Sequence, residues 1–162
     1  MKTNNPLKSI VLKTVLFLMF LFLTLYSNGQ TKNPNYDEPL AKSLGADDYG
    51  MKMYMLVILK SGSNTNVSKT TKDSLFAGHM TNMVRLEKLN KLVVAGPFGD
   101  NQNDFRGLFI LNAASIEEAN ELLETDPAIK AKLLKPEVYP WYGSAALPQY
   151  LKDADKIWKN NF

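Results

Sequence analysis

The residues predict an α+β fold in the order strand, helix, strand, strand, helix, strand, with a four-stranded antiparallel sheet and two helices on one face. Three observations lead there. Four runs rich in apolar, β-branched and aromatic residues are each short enough to be a single strand. Between the first and second runs, and again between the third and fourth, apolar residues recur at helical spacing. The middle two runs are joined by a loop built around Gly99-Asp100-Asn101, which suits a hairpin.

The elements follow in chain order. Lys2, Lys8 and Lys13 form a basic leader ahead of an uninterrupted apolar run over residues 15–25. About 20 residues are needed to span a membrane, whereas the hydrophobic part of a signal peptide takes about 7–15. Ser27 and Gly29 fit the small-residue positions before a cleavage ahead of Gln30. Residues 1–29 are therefore expected to be a signal peptide, and the protein to be exported to the periplasm or beyond the cell, with no membrane contact after cleavage. The alternative is an uncleaved anchor lengthened by Ile10, Val11 and Leu12. Residues 30–50 are polar and punctuated by Pro34, Pro39, Gly45 and Gly50, which predicts a flexible or surface-lying arm.

Residues 51–60 hold Met53, Tyr54, Met55, Leu56, Val57, Ile58 and Leu59 in succession, the pattern of a central strand. A Ser-, Thr- and Asn-rich loop follows; its Asn66-Val67-Ser68 sequon is taken as chance. A helix is expected from Asp73 or Ser74 to about Asn90, with Leu75, Phe76, Met80, Met83, Leu86 and Leu89 on its buried arc. Leu92–Pro97 is a second strand closed by proline, and residues 106–113 make a third. Ser115 and Glu118 have capping-box spacing and open a helix buried through Ile116, Ala119, Leu122 and Leu123. Pro127 stops it or turns it into a further short turn. Residues 137–142 form the fourth strand, and residues 145–162 a tail with weak amphipathic helix character.

This order joins two split βαβ units through a hairpin, as in a ferredoxin-like domain over residues 51–144. Both helices then cover one sheet face, and no remaining segment is long enough to cover the other. A large exposed apolar face is unusual on a soluble monomer. A second copy packed face to face would hide it, giving a homodimer of the dimeric α+β barrel kind.

Composition narrows function mainly by exclusion. The chain has no cysteine, hence neither disulfides nor thiolate chemistry. The formal charge of +3 falls to about zero without the three leader lysines, so nucleic-acid binding has no basis in charge. One histidine and scattered carboxylates supply no recognisable metal-ligand set. The absence of a Gly-x-Ser-x-Gly elbow and of a glycine-rich phosphate loop removes hydrolase and dinucleotide signatures. No cofactor is expected.

His79-Met80-Thr81-Asn82-Met83 followed by Leu86 and Leu89, Leu92-Val93-Val94-Ala95-Gly96-Pro97-Phe98, Thr125-Asp126-Pro127-Ala128, and Val138-Tyr139-Pro140-Trp141 occur in an order and spacing that resemble the YCII-like family. The resemblance covers roughly residues 51–142. It implies the ferredoxin-like fold, dimerisation through the sheet, and a His–Asp pair in a cleft, carried here by His79 and Asp126. Relatives include small cofactor-free enzymes acting on ring compounds, such as a dehydrochlorinase and proteins like muconolactone isomerase. The leader and the tail depart from the family pattern. So does Phe76, which stands where members often carry an arginine one turn before the histidine.

The residues themselves leave two functions open. His79 lies on the apolar arc of its helix and points inward, where an imidazole is either a hydrogen-bonded core residue or an acid–base group. Asp126 precedes Pro127, the ordinary place for a helix cap, and both roles can coexist. Gly96 and Pro97 would edge the cleft, and Tyr54 is a further candidate for substrate contact. Tyr139, Trp141 and Tyr142 suit core or dimer interface as well as a pocket. One expectation is a cofactor-independent lyase or isomerase acting on a small cyclic or unsaturated molecule. The other is a non-catalytic dimeric module that binds a small ligand. An open pocket of about 300 Å³ or more at His79 would favour the enzyme, and a side-chain-filled cleft would defeat it.

Overall fold

The structure is a computed structural model that describes residues 10, 13–15, 33–157 and 159. The apolar run, the cleavage site at Ser27–Gly29, the start of the arm and Trp158 lie outside the described residues. The chain divides into two units, Met1–Tyr36 and Asp37–Phe162. In the first, residues 13–15 are helical and the Thr14 hydroxyl donates to the Ile10 carbonyl. All that follows concerns the second.

The expected arm contains a helix, Glu38–Leu44 (α1). The residues read as breakers are its boundary signals. Asp37 caps the start, Pro39 sits in the first turn where its missing N–H costs nothing, and Gly45 closes the end at φ 70°. Asp47 then accepts the N–H groups of Tyr49 and Met51 and the hydroxyl of Tyr142, tying this segment to the sheet.

The sheet has the expected βαββαβ order and is antiparallel throughout: Met51–Ser61 (β1), Leu92–Pro97 (β2), Phe105–Leu111 (β3) and Leu134–Ser144 (β4), arranged β2-β3-β1-β4. β1 is central because nearly every residue in it is apolar and both its faces can be buried. Met55, Val57 and Leu59 face the helices, opposite Leu111, Phe109 and Gly107 of β3. Tyr54, Leu56 and Ile58 face the other way. β4 is longer than expected and tolerates Pro136 and Pro140 because it is an edge strand.

Lys69–Lys88 (α2) and Ile116–Leu123 (α3) pack on one face with the short Pro127–Lys130 (α4). α2 begins before the expected Asp73 or Ser74. Ser68 caps it by accepting from Thr71 N–H, ahead of a first turn too polar to show a hydrophobic period. It ends in a Schellman motif, with Asn90 at φ 55° and bonds from Asn90 N to Glu87 O and Lys91 N to Leu86 O. Its fully buried line is His79, Asn82 and Leu86. Leu89, expected inside, is exposed because the helix has already closed there. Ile116 is also largely exposed, since it lies in the first turn of α3, outside the stripe of Ala119 and Leu123.

α2 approaches α4 closely because residue 78 has no side chain. A Cβ on Gly78 would lie 2.9 Å from Pro127 Cγ, inside van der Waals contact. Gly→Ala inside a helix normally stabilises by about 1 kcal/mol. Overpacking costs about 1–3 kcal/mol, so Gly78→Ala is expected to destabilise the fold. Urea unfolding midpoints will show the sign, and a stabilised variant would mean that the helices are not in contact there.

Candidate functional site

His79 is held on the sheet side of α2 by the helical period, and Asp126 precedes α4, where proline fixes the first helical residue. The Gly78–Pro127 contact brings the two together. His79 Nδ1 lies 2.6 Å from Asp126 Oδ2, with both side chains buried. The other carboxylate oxygen, Oδ1, accepts the backbone N–H of Ala128 at 2.9 Å and of Ile129 at 3.4 Å. Asp126 therefore caps α4 and holds the imidazole at once. With the carboxylate as acceptor on both oxygens, the tautomer of the neutral ring that fits is the one protonated on Nδ1, which leaves the lone pair on Nε2.

The ring is fixed on its flanks as well. Phe109 of β3 stacks on it at 5.9 Å between centroids and 19° between planes. Phe76, one turn earlier on α2, meets it edge-on at 5.9 Å and 78°. Nε2 has no hydrogen-bond partner among the described residues, yet it is not among the sealed, unsatisfied atoms. It is therefore accessible, and His79 lines a cavity of about 640 Å³. That volume lies within the range of about 300–1,000 Å³ usual for small-molecule sites.

The cavity lies between α2 and the β2–β3 side of the sheet. Phe76, Met80 and Met83 of α2 form one wall, and Leu92, Ala95, Gly96, Pro97, Gly107 and Phe109 another. Leu59 and Leu134 also line it. Its surface is mostly apolar, so polar groups such as His79 stand out as the means of orienting a ligand. Among the described residues no three His, Cys, Asp or Glu side chains cluster as a metal site.

Of the residues singled out from the sequence, His79 and Asp126 meet, and Gly96 and Pro97 line the same cavity. Tyr54 does not. It is an even-numbered residue of β1 and points to the opposite sheet face, where it is fully buried and donates from its hydroxyl to the Ser144 carbonyl at 3.0 Å. Its side chain is part of the core on that face, the strand's alternation deciding the side. Tyr139, Trp141 and Tyr142 are likewise absent from the lining.

A polar cluster beside the pair went unread in the sequence. Asn82 Oδ1 accepts from Arg85 Nε and Nη2 at 3.1 and 2.9 Å, and Arg85 Nη2 also donates to Thr125 Oγ1 at 2.7 Å. Thr125 Oγ1 lies 3.1 Å from Asn82 Oδ1 and 2.6 Å from the Leu122 carbonyl. These bonds tie α2 to the residue immediately before Asp126. The available signal was Asn82 itself, a polar residue three positions after His79 on the same helical side.

No curated protein matches the chain. Among solved structures, 5-chloro-2-hydroxyhydroquinone dehydrochlorinase from Burkholderia phenoliruptrix AC1100, in complex with 2,5-dihydroxybenzoquinone, is similar at 24% identity with a TM-score of 0.40. That match covers 54% of this chain and 92% of the other. The model of the YCII-related domain matches residues 53–142, more than half of the chain and the greater part of every strand. The protein belongs to the YCII-related domain family.

Proposed function

We propose that the protein is a cofactor-independent lyase or isomerase that moves a proton on a small cyclic or unsaturated molecule, with His79 as the acid–base group and Asp126 orienting it. The observation that carries this is an imidazole that lines an apolar cavity with Nδ1 held by a carboxylate and Nε2 neither hydrogen-bonded among the described residues nor sealed in the core. A purely structural histidine would have both nitrogens satisfied inside the core. In a lyase step, Nε2 takes a proton from a substrate carbon, and the released electron pair forms a C=C bond as a leaving group departs with its own pair. In an isomerase step the same proton returns to a different carbon. Gly96 and Pro97 border the space in which the substrate would lie.

The test is turnover of a panel of chlorinated hydroquinones, cyclic enols and unsaturated lactones. His79→Asn is expected to lower kcat by about 10²–10⁴-fold, the usual contribution of a general acid–base group. Asp126→Asn keeps a good helix cap, but its amide donates to Nδ1 and moves the ring proton to Nε2. It should lower kcat by about 10²-fold or more with the fold retained. Unchanged turnover in His79→Asn would refute the proposal. Tight binding without turnover by the native protein would instead identify a small-ligand-binding module.

The assembly we infer is a homodimer through the open sheet face, in an exported protein. Leu56, Ile58, Val94, Leu108, Tyr139 and Trp141 come from all four strands, and each keeps part of its side chain exposed on that face. The basic and apolar leader supports export. Native mass spectrometry of the expressed protein is expected to give a dimer of chains beginning at Gln30. Ile58→Glu should give monomers, because an unpaired charge cannot be buried in that interface. A native chain that stays monomeric would exclude this assembly.

A further inference from the structure

We propose that Tyr150 and Leu151 form a wall that governs the access of substrate-sized molecules to His79, making the segment after β4 a specificity element of the site. The inference takes the cavity as the site proposed above, and holds whether or not a reaction occurs there.

The wall is attached to the sheet by a defined irregularity. In β2, Leu92 stands opposite Leu111 and Val94 opposite Ile110, so Val93 is an extra residue with nothing across from it. Such a bulge disrupts the ladder locally, and a buried carbonyl at that point needs a partner. Val93 is buried, and its carbonyl accepts from Tyr150 Oη at 2.5 Å. Leu147 packs on the cluster of Tyr54, Val93 and Ile110. Leu147–Tyr150 is a single 3₁₀ turn, in which residues three apart lie on the same side. Two anchors on one side therefore fix the segment against the β2 end of the sheet.

The chain then enters Leu151–Ala154 (α5), and Tyr150, Leu151, Ala154 and Ile157 all line the cavity that His79 faces. Partial burial and the nearby Glu87 carboxylate push the Tyr150 hydroxyl up from its ordinary value. It stays protonated, and so able to donate to Val93, across the neutral range. This segment lies beyond the matched family region at residues 53–142, so the wall is an addition to the domain.

His79 is the only histidine in the chain, so its carbethoxylation by diethyl pyrocarbonate reports access to that one ring. In the full chain, Leu151→Ala and Tyr150→Phe are expected to speed modification about threefold or more, and Leu151→Trp to slow it by a similar factor. Opposite signs at residue 151 cannot come from general destabilisation, which would speed both. Rates within about twofold of native for all three variants would overturn the proposal. Loss of the catalytic reading, through an active His79→Asn, would leave these rates as predicted.

Discussion

The hydrogen bond between His79 Nδ1 and Asp126 Oδ2 joins residues 47 apart in sequence, and it exists only because two helices come closer than ordinary side chains allow. Gly78 permits the approach and Pro127 fills it. Asp126 satisfies two demands with its two oxygens, capping α4 through one and holding the imidazole through the other. A carboxylate divided in this way has little freedom to rotate, and so the ring it holds has little freedom either. Stacking on Phe109 and the edge of Phe76 remove what remains. The result is a fixed imidazole with one unengaged nitrogen, on the lining of an apolar cavity.

The two faces of the sheet carry different duties because β1 alternates between them. Its odd-numbered residues from Met55 to Leu59 build the core under the helices. Its even-numbered residues build a second surface that no helix covers among the described residues, where Leu147 closes one corner beside Tyr54, Val93 and Ile110. The segment leaving β4 thus reaches from the open face to the β2 side of the sheet and ends at the cavity. Surface shielding and site geometry are physically connected through it.

Much of this was legible in the sequence, for reasons that can be traced to particular residues. Continuous apolar content marked β1, Gly-Pro closed β2, and Ser115 with Glu118 opened α3, so the order of elements and the ferredoxin-like topology followed from local signals. The inward aim of His79 followed from helical periodicity, and its pairing with Asp126 from family resemblance. What escaped notice depends on tertiary contact. Gly78 looks like a weak point in a helix until Pro127 is seen against it. The start of α2 at Lys69 is written in polar residues that carry no period. Asn82, Arg85 and Thr125 become a network only when α2 meets the turn before α4. The side taken by Tyr54 is not legible either, because an unbroken apolar run conceals which side of the strand each residue takes.

Asp126 selects the tautomer of the neutral His79 ring that carries its proton on Nδ1 and leaves the Nε2 lone pair free. Since the chain has a single histidine, ¹⁵N NMR of the imidazole reads this directly, without assignment ambiguity. The expected result is a neutral ring with its proton on Nδ1 and a strongly hydrogen-bonded, low-field proton resonance. A neutral ring protonated on Nε2, or one exchanging freely between the two tautomers, would contradict it.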